Sequence, residues 1–143
     1  MAKVTVKMPE DLLKKLSKLG EKTDEISERV LEAGGQVVLR AAKSNLQQQI
    51  GRGTKHKSRS TGELESSLGL TPVKVDRNGN YNIKLGFKEP RKDGKSNAMI
   101  ANVIEYGKHG QPAKPFLEPA KRSTKKACVD AMIQKLEEEV GKL

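Results

Sequence analysis

The sequence has no tryptophan and only four other aromatic residues, Tyr81, Phe87, Tyr106 and Phe116. It has one cysteine, Cys128, and two histidines, His56 and His109. Each scarcity excludes something. A single cysteine cannot close an intrachain disulfide or build a cysteine-based metal site, and it suits the reducing cytosol. No apolar run approaches the roughly 20 residues that a membrane-spanning helix needs. The N-terminus lacks the apolar core of a signal peptide. A soluble, intracellular chain without membrane contact is expected. Apolar residues make up 34% and aromatics 3%, a thin core for 143 residues, so part of the chain is expected to be mobile or to order only against a partner. Acids are also in deficit. There are 28 Lys and Arg against 18 Asp and Glu, a net charge of +10. That excess attracts polyanions and acidic surfaces, and it says nothing about fold.

Catalysis finds no support in what remains. Cys128 falls on the apolar stripe of a predicted helix, where a buried structural thiol is the ordinary outcome. His56 and His109 fall in predicted loops, with no spacing suited to a metal. Gly51-Arg52-Gly53 is not followed by the Lys-Ser or Lys-Thr of a phosphate-cradling loop. Glu137, Glu138 and Glu139 are consecutive, so on a helix they splay apart and read as solvated surface. Neither an enzyme nor a cofactor is expected.

Hydrophobic periodicity organises the chain as one domain, 1–143. Val4, Val6 and Met8 alternate with Lys3, Thr5 and Lys7, which predicts a short strand. A long helical region over 9–50 follows. Leu12, Leu13, Leu16 and Leu19 form a first stripe stopped by Gly20. A second helix starts at Thr23 or Asp24 and carries Ile26, Val30, Val37, Ala41 and Leu46. Gly34-Gly35 inside it predicts a kink or a close helix contact. Residues 51–60, with Arg52, Lys55, Lys57 and Arg59 and no acid, predict a mobile basic loop. Ser60 and Glu63 fit a capping box that opens a short helix over 61–68. Asn78-Gly79 between alternating runs predicts a hairpin over 70–87, with strands near 70–76 and 80–87. A second charged loop, 88–96, carries Arg91, Lys92 and Lys95. Asn97 is positioned to cap a helix over 97–106, with Met99, Ile100, Val103 and Ile104 as its stripe. A last helix, 117–140, carries Leu117, Ala120, Ala127, Cys128, Ala131, Met132, Leu136 and Val140. The sum is an α+β fold, a small antiparallel sheet with a β-hairpin packed against a long N-terminal helix and a C-terminal helix.

Two features stand out against this frame. The last helix carries Lys121, Arg122, Lys125 and Lys126 early and its glutamates late, which opposes the helix dipole and suits contact with an unlike surface. Between the last two helices runs EYGKHGQPAKPFLEP, residues 105–119, a proline-rich strap over 107–116 with an aromatic near each end. Pro112 and Pro115 hold Gln111 and Lys114 away from helix, and Pro119 fits a first helical turn. Glu105, Tyr106, Gly107, Pro112, Lys114, Pro115, Phe116 and Pro119 are the candidate strap or subunit-interface residues. Arg52, Lys55, Lys57, Arg59, Arg91, Lys92 and Lys95 are the candidate contacts to DNA or a partner. They lack the interleaved aromatics of a single-strand stacking platform.

The chain carries two resemblances. Residues 3–34, KVTVKMPEDLLKKLSKLGEKTDEISERVLEAG, resemble the ribbon–helix–helix DNA-binding regulators, which would make Lys3, Thr5 and Lys7 base-facing on a strand that pairs across a dimer. Over nearly the whole chain runs another ordered set. It consists of Ser60-Thr61-Gly62-Glu63-Leu64 through Ser67-Leu68, a hairpin, Asn102 to Gly107, and Pro112 to Ala120. This set resembles the neck or minor tail proteins of long-tailed phages, the family similar to the lambda-type tail protein Z. Lys108 stands where many relatives have threonine. The resemblance implies a non-enzymatic virion component of the neck or tail, assembled in the host cytoplasm as a homo-oligomeric ring. Its implied neighbours are head-closure and tail-terminator proteins, with non-specific contact to packaged DNA.

Overall fold

The computed structural model describes residues 3–18, 20–49, 63–77, 79–89 and 96–142. Among these, the fold is the expected α+β arrangement, built around one strand and one helix. The strand is β4 (Tyr81–Phe87), which among the described residues is the one strand paired on both sides. β1 (Val4–Lys7) lies antiparallel along one edge of it, with Val4 opposite Leu85 and Val6 opposite Ile83. β2 (Leu68–Leu70) and β3 (Lys74–Val75) lie antiparallel along the other. Alternation then divides the sheet. Val4, Val6, Leu68, Ile83 and Leu85 are buried on one face, as a half-buried antiparallel sheet requires.

The expected first hairpin strand is split. Leu70 pairs with Leu85 but Lys74 pairs with Asn82, so Pro72 and Val73 together oppose Ile83 in a bulge. Proline cannot donate to the ladder, and a bulge is one of the few places a sheet accepts it. Thr71 spans the irregularity. Its amide donates to the Lys84 carbonyl at 2.8 Å, and its hydroxyl accepts the Lys84 amide at 3.1 Å. Gly79 closes the turn with a φ of 80°, which glycine adopts without a Cβ clash.

The central helix is α2 (Thr23–Gln49), preceded by α1 (Glu10–Ser17) and a single 3₁₀ turn at Gly20–Lys22. It is buried on two sides. Gly34-Gly35 does not break it, and each glycine admits a different neighbour. A Cβ on Gly34 would lie 2.7 Å from Met132 Cγ, and one on Gly35 would lie 3.0 Å from Leu70 Cδ2. Gly34 therefore faces the C-terminal helix and Gly35 the sheet. The buried stripe runs through Val38 and Ala42, one residue on from the expected Val37 and Ala41, which are only half-buried. At its N-terminal end the Tyr81 hydroxyl donates to Asp24 and ties the sheet to the helix. That bond holds the phenol above its ordinary pKa range.

α3 is short, Glu63–Ser67, and the expected capping residues Ser60 to Gly62 lie outside the described residues. The predicted C-terminal helix is two helices, α5 (Leu117–Ser123) and α6 (Lys125–Gly141), broken at Thr124. The Thr124 hydroxyl donates to the Ala120 carbonyl at 2.6 Å, a local bond that competes with the helix ladder. The break also reorders the charges. Lys121 and Arg122 now close α5, where a helix dipole favours bases. On α6, Glu139 is 3% exposed rather than solvated, and Arg29 of α2 bonds it at 2.6 Å. Lys142 and Lys135 stand 3.4 and 3.6 Å away. The Arg29 hydrogen bond holds the Glu139 carboxyl below the ordinary glutamate range. Cys128 is buried on α6, and desolvation pushes its thiol up, away from the reactive thiolate.

β1 is thus an edge strand tied to β4 of its own chain. Its apolar residues face the core under α2, so Lys3, Thr5 and Lys7 belong to the outer face of an intrachain sheet. The ribbon–helix–helix resemblance would have this strand pair across a dimer; here it pairs with β4 of its own chain.

Candidate functional site

The strap EYGKHGQPAKPFLEP is organised by a residue that hydrophobic patterning cannot find. Helix α4 (Asn97–Tyr106) leads into it. Its N-cap is Ser96 rather than the expected Asn97. The Ser96 hydroxyl accepts the Met99 amide at 3.2 Å, and Glu89 accepts the Ala98 amide at 2.7 Å. Asn97 is turned inward and donates to the Lys88 carbonyl at 2.7 Å. The buried positions of α4 are Asn97, Ala101 and Glu105, one residue every four.

Glu105 is 4% exposed. Its Oε1 accepts the amides of Phe116 at 2.9 Å and Leu117 at 2.7 Å, and its Oε2 accepts the amide of Glu118 at 3.2 Å. These are amides at the start of α5, whose N-cap residue, Phe116, offers no side-chain acceptor. Glu105 therefore caps a helix eleven to thirteen residues ahead of it. A carboxylate at this place meets both the unpaired first-turn N–H groups and the positive end of the helix dipole. Pro119 stands at the third helical position and has no amide to satisfy.

The strap between is short of freedom. Gly107 ends α4 with a φ of 79°, and its amide donates to the Val103 carbonyl at 2.7 Å. A Cβ there would lie 2.8 Å from the Ala113 backbone nitrogen, so two segments of main chain cross at this point. Lys108 and Gln111 exchange backbone bonds of 2.9 Å around a turn, and the Lys114 amide returns to the Ile104 carbonyl at 2.7 Å. Asn45 and Gln49 of α2 donate to the carbonyls of Phe116 and Pro115 at 3.2 and 3.3 Å. The two aromatics have separate fates. Phe116 is fully buried and meets Phe87 edge to face at 6.5 Å. Tyr106 is 65% exposed.

Tyr106 is not alone. The residues expected as the core stripe of α4 are turned outward in part. Met99 is 66% exposed, Val103 is half-buried, and Ile100 and Ile104 lean on the core from its rim. With Ser96, Lys108 and Gln111 they line an open groove of about 500 Å³. A second, unlike groove of about 460 Å³ lies between α1 and α6, lined by Leu12, Ile133, Leu136 and Val140 with Lys15, Lys18 and Glu137. The basic candidates Arg52, Lys55, Lys57, Arg59, Arg91, Lys92 and Lys95 lie outside the described residues. Among the described residues no group of His, Cys, Asp or Glu could hold a metal ion, and no helix is long and apolar enough to cross a membrane.

The fold and this junction define a small α+β structural module. It is organised around a buried carboxylate clamp and open apolar faces. The chain belongs to the HK97-gp10-like family, described as "Bacteriophage HK97-gp10, putative tail-component", which it matches over residues 10–107. It is thus a member of a phage tail-component family, and membership places it among the structural proteins of the virion. The match ends at Gly107, so it contains Glu105 but not the amides that Glu105 caps. It supports a phage tail or neck family and does not extend to the lambda-type tail protein Z. No curated protein and no solved structure gives a match.

Proposed function

We propose that the protein is a structural component of the phage head–tail junction that acts by ring assembly in the neck and carries out no reaction. The observation that carries this reading is the open apolar face of α4. Met99 and Tyr106 are each about two-thirds exposed on a chain with only 34% apolar residues. Exposed apolar patches rimmed by polar groups mark protein contacts, and Met and Tyr are enriched in them. A closed ring uses two unlike surfaces on every protomer, one for each neighbour. The α4 face and the groove between α1 and α6 are two such surfaces. Further copies of the chain are the first partners, with head-closure and tail-terminator proteins above and below the ring.

The clamp serves this role by stiffening. Glu105 fixes α4 to α5, and the strap fixes both to the end of α2, so the α4 face is presented on a rigid support. Size-exclusion chromatography with light scattering, read with negative-stain images, tests the proposal. Wild-type protein is expected to form rings, and the double variant Met99→Glu with Tyr106→Glu to remain a folded monomer. Rings unaffected by the double variant, or wild type that stays monomeric at every concentration, would contradict it.

A further inference from the structure

The outer face of the sheet carries a charge pattern that neither the fold nor the ring requires. Residues directly opposite in register share a face. Lys7 and Lys74 both oppose Asn82, and Thr5 opposes Lys84. Lys3 continues the same alternation one residue before β1. Four lysines therefore share the face turned away from α2. Lys3, Lys7 and Lys74 are exposed and Lys84 is half-buried. None of the four has an ion pair among the described residues. The same alternation puts one acid, Asp76, at the edge of the face just past β3, where its carboxylate accepts the Asn80 amide at 3.0 Å, so lysines outnumber acids there. Among the described residues, the end of the face level with Lys3 is open. Gly69 opposes Gly86, a Cβ at Gly69 would meet no atom within 4 Å, and one at Gly86 would meet only Thr71 Cγ2 at 3.6 Å.

We infer that this face binds the phosphate backbone of duplex DNA, without reading sequence. Strand spacing and rise set the patch at about 10 Å across and about 13 Å along. Duplex DNA carries one phosphate charge per about 1.7 Å of axis, so roughly seven or eight phosphates pass along such a patch. An acidic protein is the weaker fit. Protein interfaces are centred on aromatic, Met and Arg anchors and are depleted in Lys, and the strands place lysines on this face with no aromatic or arginine. Sequence readout needs side chains that reach base edges, and the amide side chain on these strands, Asn82, is buried. None of the four lysines belongs to segments 51–60 or 88–96, and the inference does not depend on ring assembly, because a single chain holds all four.

Fluorescence anisotropy of the full chain with a labelled mixed-sequence duplex, over a range of salt concentrations, tests it. Four phosphate contacts contribute about −3.6 to the slope of log affinity against log salt, or roughly 150-fold between 50 and 200 mM. The variant Lys3→Gln, Lys7→Gln, Lys74→Gln, Lys84→Gln is expected to lose most of that dependence while keeping its melting temperature. The same four positions changed to Arg are expected to keep it. Changing Lys121, Lys125 and Lys126 to Gln is expected to leave the slope near wild type. Wild-type affinity and slope in the four-Gln variant would overturn the inference. So would polyglutamate that competes as well as DNA at equal charge, or wild type that fails to bind DNA at low salt.

Discussion

Glu105 gives the sharpest test of how this fold holds its strap. The carboxylate accepts three amides, two of them in the buried residues Phe116 and Leu117. Glu105→Ala leaves those two donors without acceptors, at about 1–3 kcal/mol each. The expected loss is about 4 kcal/mol, a large share of the roughly 5–15 kcal/mol that holds a domain of this kind. On a chain of this length that corresponds to a fall in melting temperature of roughly 10–20 °C. Glu105→Gln separates capping from mere packing. Its carbonyl oxygen can take the place of Oε1 and keep the Phe116 and Leu117 bonds at 2.9 and 2.7 Å. Its NH₂ then faces the Glu118 amide, which bonds Oε2 at 3.2 Å in the wild type, and that bond is lost. The glutamine variant should therefore lose only about 1–2 kcal/mol. Urea denaturation followed by circular dichroism measures both, and hydrogen exchange at the Phe116 and Leu117 amides localises the effect. An alanine variant within about 1 kcal/mol of wild type, or a glutamine variant as damaged as the alanine, would refute the capping argument.

The two central glycines should respond unequally to alanine. Gly34→Ala drives a Cβ to 2.7 Å from the buried Met132 and should destabilise by about 1–3 kcal/mol in thermal melts, whereas Gly35→Ala meets the half-buried and more yielding Leu70 and should cost less. Ser27 is fully buried on α2 and its hydroxyl has no hydrogen-bond partner among the described residues. Ser27→Ala should therefore be neutral or raise stability by up to about 1 kcal/mol in the same melts. The Arg29–Glu139 pair should give an acid-dependent term. Its folded carboxyl titrates below the unfolded one, so its stabilisation is present above the ordinary glutamate pKa of about 4.3 and is lost as pH falls through the lower folded value. The gap in melting temperature between wild type and Arg29→Met should narrow over that acid range and stay level above it.

Periodicity made much of this fold legible. Alternation marked Val4, Val6 and Met8, helical spacing marked α2, and Asn-Gly marked the turn between β3 and β4. The errors have common physical causes. α2 is buried against both a sheet and a helix, so a single-stripe reading placed its core one residue off at Val37 and Ala41. The bulge at Pro72–Val73 shifts register without changing composition. Thr124 breaks the last helix through its own hydroxyl, while the apolar spacing on either side continues. Glu105 and Glu139 were hardest, because a buried acid is announced by its partners and not by its own neighbourhood. Glu105 bonds amides eleven to thirteen residues away, and Arg29 lies 110 residues from Glu139. The strap residues were legible as a unit, but their division into a buried anchor, Phe116, and an exposed one, Tyr106, depends on how α4 is rotated. That rotation is fixed by Asn97, Ala101 and Glu105, two of them polar.

The role proposed for the protein is to join heads to tails as a structural part of the virion. Electron microscopy of lysates from the encoding phage with this gene deleted tests it most directly. DNA-filled heads and finished tails lying apart are predicted, with joining restored by the wild-type gene and not by the Met99→Glu, Tyr106→Glu form. Complete, infectious particles from the deleted phage would contradict the claim.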